Sequence, residues 1–179
     1  DVEALGEIAD HDVRVLELSA LKGVFQKLVH DPVSFVNAPV LAKQRGVEVA
    51  LTSDSEAGDH RSLVRVTLTL TDGSKVAVAG IVSGPRDVAK VVQVDGFDVD
   101  VPVSDHMAFF RYQDRPGVVG IVGRVLGEAD VNIGGMQVSR DESGHALIVL
   151  TVDTAIPPQQ LEAIVSEIGA QSGRSVDLD

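Results

Sequence analysis

The chain has 179 residues, a formal net charge of −12, 44% apolar residues, only 3% aromatics and no cysteine. That length suits one large domain or two small ones, with cores of Val, Leu, Ile and Ala. The composition excludes disulfides and thiolate metal sites, and the acidic charge argues against nucleic acid or an anionic membrane as partner. No apolar run reaches the roughly 18–20 residues of a membrane span, and no basic-then-apolar leader opens the chain.

The first ten residues read as a polar, loosely patterned lead-in, and a start at Asp1 suggests a piece of a longer protein. A short strand is expected over Val13 to Leu18. Leu21, Val24, Phe25 and Leu28 then follow helical spacing. Asp31-Pro32 makes a good helix start, with Asp as cap and Pro in the first turn. That helix runs toward Arg45-Gly46, with Pro39 kinking or restarting it. Strands follow at Val47 to Thr52, Leu63 to Thr71 and Lys75 to Ile81. Leu63 to Thr71 alternates cleanly, and Asp72-Gly73, a strong hairpin signal, turns the chain back into Lys75 to Ile81. A further strand, Lys90 to Val94, and a final pair through Asp95-Gly96 to Pro102 close an α+β, mostly antiparallel half. The boundary falls near residue 103, giving domains of 1–103 and 104–179.

The second half reads β-α-β-β-α-β, the ferredoxin-like order. Its elements are His106 to Tyr112, a helix striped by Val118, Ile121, Val122, Val125 and Ala129, strands Asn132 to Ser139 and His145 to Asp153, a helix from Pro157, and a strand Ser175 to Leu178. Gly120, Gly123 and Gly127 suggest that this first helix packs closely against a neighbouring backbone. The strand His145 to Val152 is apolar on both faces, yet helices in this fold cover one face only. Something else should then cover the other, or a partner chain should extend a sheet edge, and the expectation is homodimerisation through this half. The competing explanation is that the first half of this chain lies across it.

One segment carries the functional signal. Tyr112-Gln-Asp114-Arg-Pro116-Gly117-Val118 runs from a strand through a polar turn into a helix, and Asn132-Ile133 opens the next strand. Asp114 can accept a hydrogen bond from a ligand ammonium, although Asp at such a turn is also an ordinary helix cap. Pro116 removes one N–H, and Gly117 lets a ligand approach the backbone. The N–H groups at Val118 and beyond, with the helix dipole, can hold a carboxylate. Asn132 offers a donor and an acceptor, or simply fills a turn. Tyr112 either hydrogen-bonds the ligand or packs, and Ile133 supplies an apolar wall. A carboxylate, an amide and free helix amides together suit a zwitterion such as an amino acid, and so a ligand sensor rather than a catalyst. In the first half His60, Arg61, Arg86 and Lys90 are candidates for an anion site, with ordinary solvated charge as the competing reading.

On these residues the chain resembles the regulatory end of long-form D-3-phosphoglycerate dehydrogenases. Asp114-Arg-Pro-Gly117 and Val131-Asn-Ile133 resemble the mark of an ACT domain over about 104–179. Ala20-Leu-Lys-Gly-Val-Phe25, Ser34-Phe-Val-Asn-Ala-Pro39, Arg45-Gly46 and His60-Arg-Ser62 resemble that family's intervening domain over 1–103. The resemblance implies a cytoplasmic serine-pathway enzyme oxidising 3-phosphoglycerate with NAD. It also implies that L-serine binds between ACT domains of neighbouring subunits and inhibits, in a homodimer or homotetramer. The NAD would belong to catalytic domains outside this chain, since no Gly-x-Gly-x-x-Gly follows a strand here. The intervening domain is associated with anion effects, which Asp95, Asp98 and Asp100 should weaken.

The five His residues show no metal-ligand spacing, and no Ser or Cys nucleophile motif appears. No catalytic or metal residue is therefore assigned. The remaining alternatives are the regulatory region of an iron–sulfur L-serine dehydratase and a purely structural oligomerisation module.

Overall fold

A computed structural model describes residues 1–178, which fold as α+β in two compact units, one from Asp1 to Val82 and one starting at Ser83. In the first unit, strand β1 (Val2–Gly6) lies between β2 (Leu51–Asp54), to which it is parallel, and β3 (Ser62–Thr69), to which it is antiparallel. β3 pairs in turn with β4 (Lys75–Ser83), with the hairpin turn at Asp72-Gly73 as expected. Helices α1 (Arg14–Gln26) and α2 (Ala38–Gln44) form their own apolar contact through Leu21, Phe25, Ala38 and Ala42.

Three local expectations are corrected here. The opening residues are a central strand, because Val2, Ala4 and Gly6 alternate onto a buried face between two neighbours. Residues 14–18 are helix, not strand: six residues from Val13 are too few to separate the two periods. Burial of Leu21 and Phe25 one turn apart decides for the helix, and Asp12 accepts the Arg14 N–H at 3.2 Å ahead of it. The second helix begins at Ala38 rather than Asp31, with Pro39 in its first turn. Asn37 holds the preceding segment as a turn, accepting from the Ser34 N–H at 2.7 Å and donating to the Pro32 carbonyl at 2.9 Å. Gly6 is obligatory at the end of β1: its φ is +82°, and a Cβ there would sit 2.3 Å from the Arg61 carbonyl oxygen.

The second unit contains β5 (Val88–Val94), β6 (Phe97–Pro102), β7 (His106–Gln113), α3 (Val118–Glu128), β8 (Ile133–Arg140), β9 (His145–Val152), α4 (Pro158–Ile168) and β10 (Ser172–Asp177). From β7 onward this is the ferredoxin-like order. The sheet runs β10-β7-β9-β8, with every pair antiparallel, so β7 and β8 point the same way on either side of β9. Helices α3 and α4 cover one face through Val118, Val122, Leu126, Ile164 and Ile168, packed on Phe110, Tyr112, Ile148 and Leu150.

The opposite face of β9 is covered from within the chain. β5 and β6 form a hairpin, turned by Asp95 and Gly96 at positive φ. Its Val94, Phe97, Val99 and Val101 pack on Met107, Leu147 and Val149. The apolar second face thus has a partner in cis, the competing explanation of its pattern, and needs no second copy to cover it. The hairpin, read with the first half in sequence, packs within the second compact unit. The helix glycines are also corrected. A Cβ on Gly120, Gly123 or Gly127 would meet nothing within 4 Å outside its own helix, so no backbone packs against them here.

Phe97, 3% exposed, is the largest side chain that the hairpin contributes to this cluster. Phe97→Ala should destabilise the second unit by about 3–5 kcal/mol, read by urea unfolding, while Val36→Ala, at a site 86% exposed, should change stability by less than about 0.5 kcal/mol. Equal effects of the two would show that the hairpin does not close the sheet.

Candidate functional site

The turn after β7 is fixed by the β8–β9 connection. The Asp114 N–H donates to the Gly144 carbonyl at 3.0 Å, and the Gln113 Nε2 donates to the same oxygen at 2.6 Å. Asp114 is thereby held at the end of β7, with its side chain 30% exposed. Three residues on, Gly117 adopts φ +90° as the N-cap of α3, a conformation that a Cβ would strain. The Ile121 N–H donates to the Gly117 carbonyl, and the amides ahead of it lie outside the helical ladder. Val118 is buried in the core and anchors the helix start, and Pro116 is exposed.

The Asp114 carboxylate does not cap α3. Its hydrogen-bonding partner among the described residues is Arg140, whose Nε donates to Oδ2 at 2.7 Å. Arg140 was absent from the candidates read in the sequence. Register explains its arrival: Arg140 ends β8 opposite Ala146, and Tyr112, one residue before the end of β7, lies opposite the same Ala146. Directly opposed residues share a face of the sheet, and the small alanine between them leaves the row open. Tyr112 is packed with the helix-side core, 2% exposed. Burial raises its hydroxyl pKa above the ordinary 10.0, the Asp114 charge raises it further, and Arg140 opposes them.

Asn132 lies elsewhere. Its N–H donates to the Asp153 Oδ1 at 3.0 Å, and its carbonyl accepts from the Asp153 N–H at 3.2 Å. Ile133 aligns with Val152, whereas Gln113 aligns with His145, seven residues away along β9. At roughly 3.4 Å per residue the two ends are about 24 Å apart. One chain therefore does not bring Asn132 to Asp114, contrary to the expected cluster. Ile133 is half-buried and packs against the core under the helices.

Near the Asn132 end a cavity of about 590 Å³ opens on the hairpin side, walled by Asp100, Ser104, Gly134, Gly135, Gln137 and Thr151 among others. Its walls come from three separated segments, so no local signal in the sequence announced it. The basic candidates are dispersed. Arg61 pairs with Glu7 at 2.6 Å in the first unit, near the half-buried His60. In the second unit Lys90 pairs with Asp100 at 2.8 Å, and Arg86 is exposed. Among the described residues no group of His, Asp and Glu is placed to hold a metal ion, and no helix is long and apolar enough to cross a membrane.

Residues 1–95 match the family model of the D-3-phosphoglycerate dehydrogenase intervening domain, and residues 106–169 match that of the ACT domain. Along 99% of its length the chain is 43% identical to a D-3-phosphoglycerate dehydrogenase of Mycobacterium leprae. It is 31% identical to that of a Synechocystis species and 28% to that of Bacillus subtilis, each over 97% of its length. It spans about a third of these relatives, 34%, 31% and 33% of their respective lengths.

Tyr112 is the single tyrosine, and the chain has no tryptophan, so phenolate absorbance reports on this site alone. Spectrophotometric titration should give an ionisation above 10.0 in the folded protein. Because the neutral phenol is favoured in the fold, this contribution to stability is present below the unfolded value and is lost as pH rises through the folded one. Asp114→Asn should lower the ionisation part of the way and Arg140→Gln should raise it; no response to either would separate Tyr112 from the pair.

Proposed function

Because this chain belongs to the D-3-phosphoglycerate dehydrogenase intervening-domain family and carries an ACT domain after it, we propose that it is the amino-acid-sensing region of such a dehydrogenase, binding L-serine to inhibit the parent enzyme. The observation that carries this reading is the Asp114 turn. A carboxylate, a left-handed Gly117 and the amides of the first turn of α3 follow one another at the end of β7. The ammonium of the ligand would lie on Asp114, and its carboxylate would face the amides at the start of α3.

The separation of Asn132 from Asp114 supports an assembly of two copies. β8 is the edge of the four-stranded sheet. Antiparallel pairing of β8 with the β8 of a second copy would set the Ile133 end of one strand beside the Arg140 end of the other. The second copy's Asn132 would then complete the site at Asp114. Each dimer would hold two equivalent sites across its edge, and ligand would favour the paired state. A coupling of about 1–3 kcal/mol between ligand and assembly is enough for feedback control. A homodimer or homotetramer in the cytoplasm goes with this reading.

The redox chemistry would lie in domains outside this chain. No glycine fingerprint for a dinucleotide occurs here, so none of these residues is assigned to NAD. The relatives described above are named as dehydrogenases, and nothing observed favours the dehydratase parent. The structural-module alternative loses its motive, since the hairpin already covers the second face of β9.

Calorimetric titration with L-serine tests the reading. Wild type should bind, and Asp114→Ala should weaken binding ten- to a hundredfold, as loss of one charge-assisted hydrogen bond of about 1.5–3 kcal/mol requires. Asn132→Ala should weaken it as well and reduce serine-dependent dimerisation in sedimentation velocity. No heat from wild type at millimolar serine would end the proposal.

A further inference from the structure

We propose that Arg140 is the ligand-carboxylate receptor of this site, so that Asp114 and Arg140 together form a two-charge clamp for the α-ammonium and α-carboxylate of an amino acid. The inference rests on the reading of the Asp114 turn as an amino-acid site and adds a residue to it.

The geometry is that of an incomplete ion pair. Arg140 donates to Asp114 through Nε and reaches only Oδ2, at 2.7 Å. Its Nη groups make no hydrogen bond among the described residues, and the Arg140 side chain is 66% exposed. A guanidinium and a carboxylate can pair through two parallel hydrogen bonds; here one is made. Among the described residues the guanidinium Nη groups and the Oδ1 of Asp114 have no hydrogen-bond partner. An α-amino acid carries opposite charges one carbon apart and fits such a pair without breaking the Nε–Oδ2 bond.

The surroundings favour this assignment over an incidental surface contact. Arg140 comes from the end of β8 and Asp114 from the turn after β7, 26 residues apart in the chain. They meet because β7 and β8 run in the same direction on either side of β9. Ala146 between them adds no bulk, and the buried Tyr112 floors the row, its hydroxyl within the field of both charges. The exposed start of α3 adds amides on the same side. Arg140 also sits on the edge strand, at the end where a paired second copy would deliver Asn132. Recognition of the carboxylate would therefore be linked to assembly, since both use the Arg140 end of β8.

The other role open to Arg140 is that of an internal competitor, occupying Asp114 until a ligand displaces it. The single-point contact speaks against that role, because a competitor would use the full fork. The two roles predict opposite responses to removal of the guanidinium.

The test is calorimetry with L-serine and L-serinamide on the whole chain, wild type against Arg140→Gln and Arg140→Lys. Serinamide keeps the ammonium and the hydroxyl but replaces the carboxylate by a neutral amide. Wild type should prefer serine at least tenfold. Arg140→Gln should lose at least tenfold in serine affinity while serinamide changes less than twofold, and Arg140→Lys should fall between, keeping the charge without the fork. Tighter or unchanged serine binding by Arg140→Gln overturns the clamp and leaves the serine site standing. Equal losses for both ligands overturn it too, since Arg140 would then act through the position of Asp114. Absence of serine binding by wild type removes the site and the clamp together. Circular dichroism of each variant, and the single-tyrosine titration, confirm that the sheet and its Tyr112 row are intact.

Discussion

Strand β9 sets the terms for the second unit. From Ala146 to Leu150 every side chain is buried, so the strand must be covered on both faces and paired on both edges. Helices α3 and α4 cover one face, as the ferredoxin-like order requires. Phe97, Val99 and Val101 of the β5–β6 hairpin cover the other. Leaving either face in water would forfeit roughly 1.5–3 kcal/mol for each large apolar side chain. The hairpin is thus structural to the ACT-type sheet, although it precedes that domain in the chain.

The same strand decides where ligand chemistry can collect. Because β9 is antiparallel to both neighbours, β7 and β8 end together and begin together. Asp114 and Arg140 fall at one end, and Asn132 with Asp153 at the other. Asn132 could reach Asp114 only from a second copy, whereas Asp114 and Arg140 already meet within one chain. The edge position of β8 connects the two arrangements, since pairing there would bring both sets of residues to one place. The Asp114–Arg140 pair adds little to stability, given two partners 30% and 66% exposed. Its chemical interest is the hydrogen-bonding capacity it leaves unused among the described residues.

The local sequence signal sufficed where it agrees with the tertiary outcome. The β3–β4 hairpin followed from alternation and Asp72-Gly73. The α3 stripe of Val118, Val122 and Val125 and the β-α-β-β-α-β order were legible for the same reason. It failed where packing between distant segments overrode a weak pattern. β1 looked like a polar lead-in because Glu3 intervenes between Val2 and Ala4, yet two neighbouring strands make it central. Residues 13–18 read as a short apolar strand, yet residues 14–18 belong to a helix whose Phe25 packs with Ala38 and Ala42. Tyr112, Asp114, Pro116 and Gly117 could be marked as a turn because they are consecutive. Arg140 could not be, since nothing beside it in the chain distinguishes it from other exposed arginines.

The amino-acid order by itself determined the α+β class, the ferredoxin-like second half, the turn before α3 and the family resemblance, all of which rest on contiguous residues and short periods. Only the tertiary structure decided which face of β9 the hairpin covers, that Asn132 stands apart from Asp114, and that Arg140 meets it. Those depend on strand direction and register. A register is fixed by the simultaneous burial of many side chains, and one step of slippage would turn each of them to the opposite face.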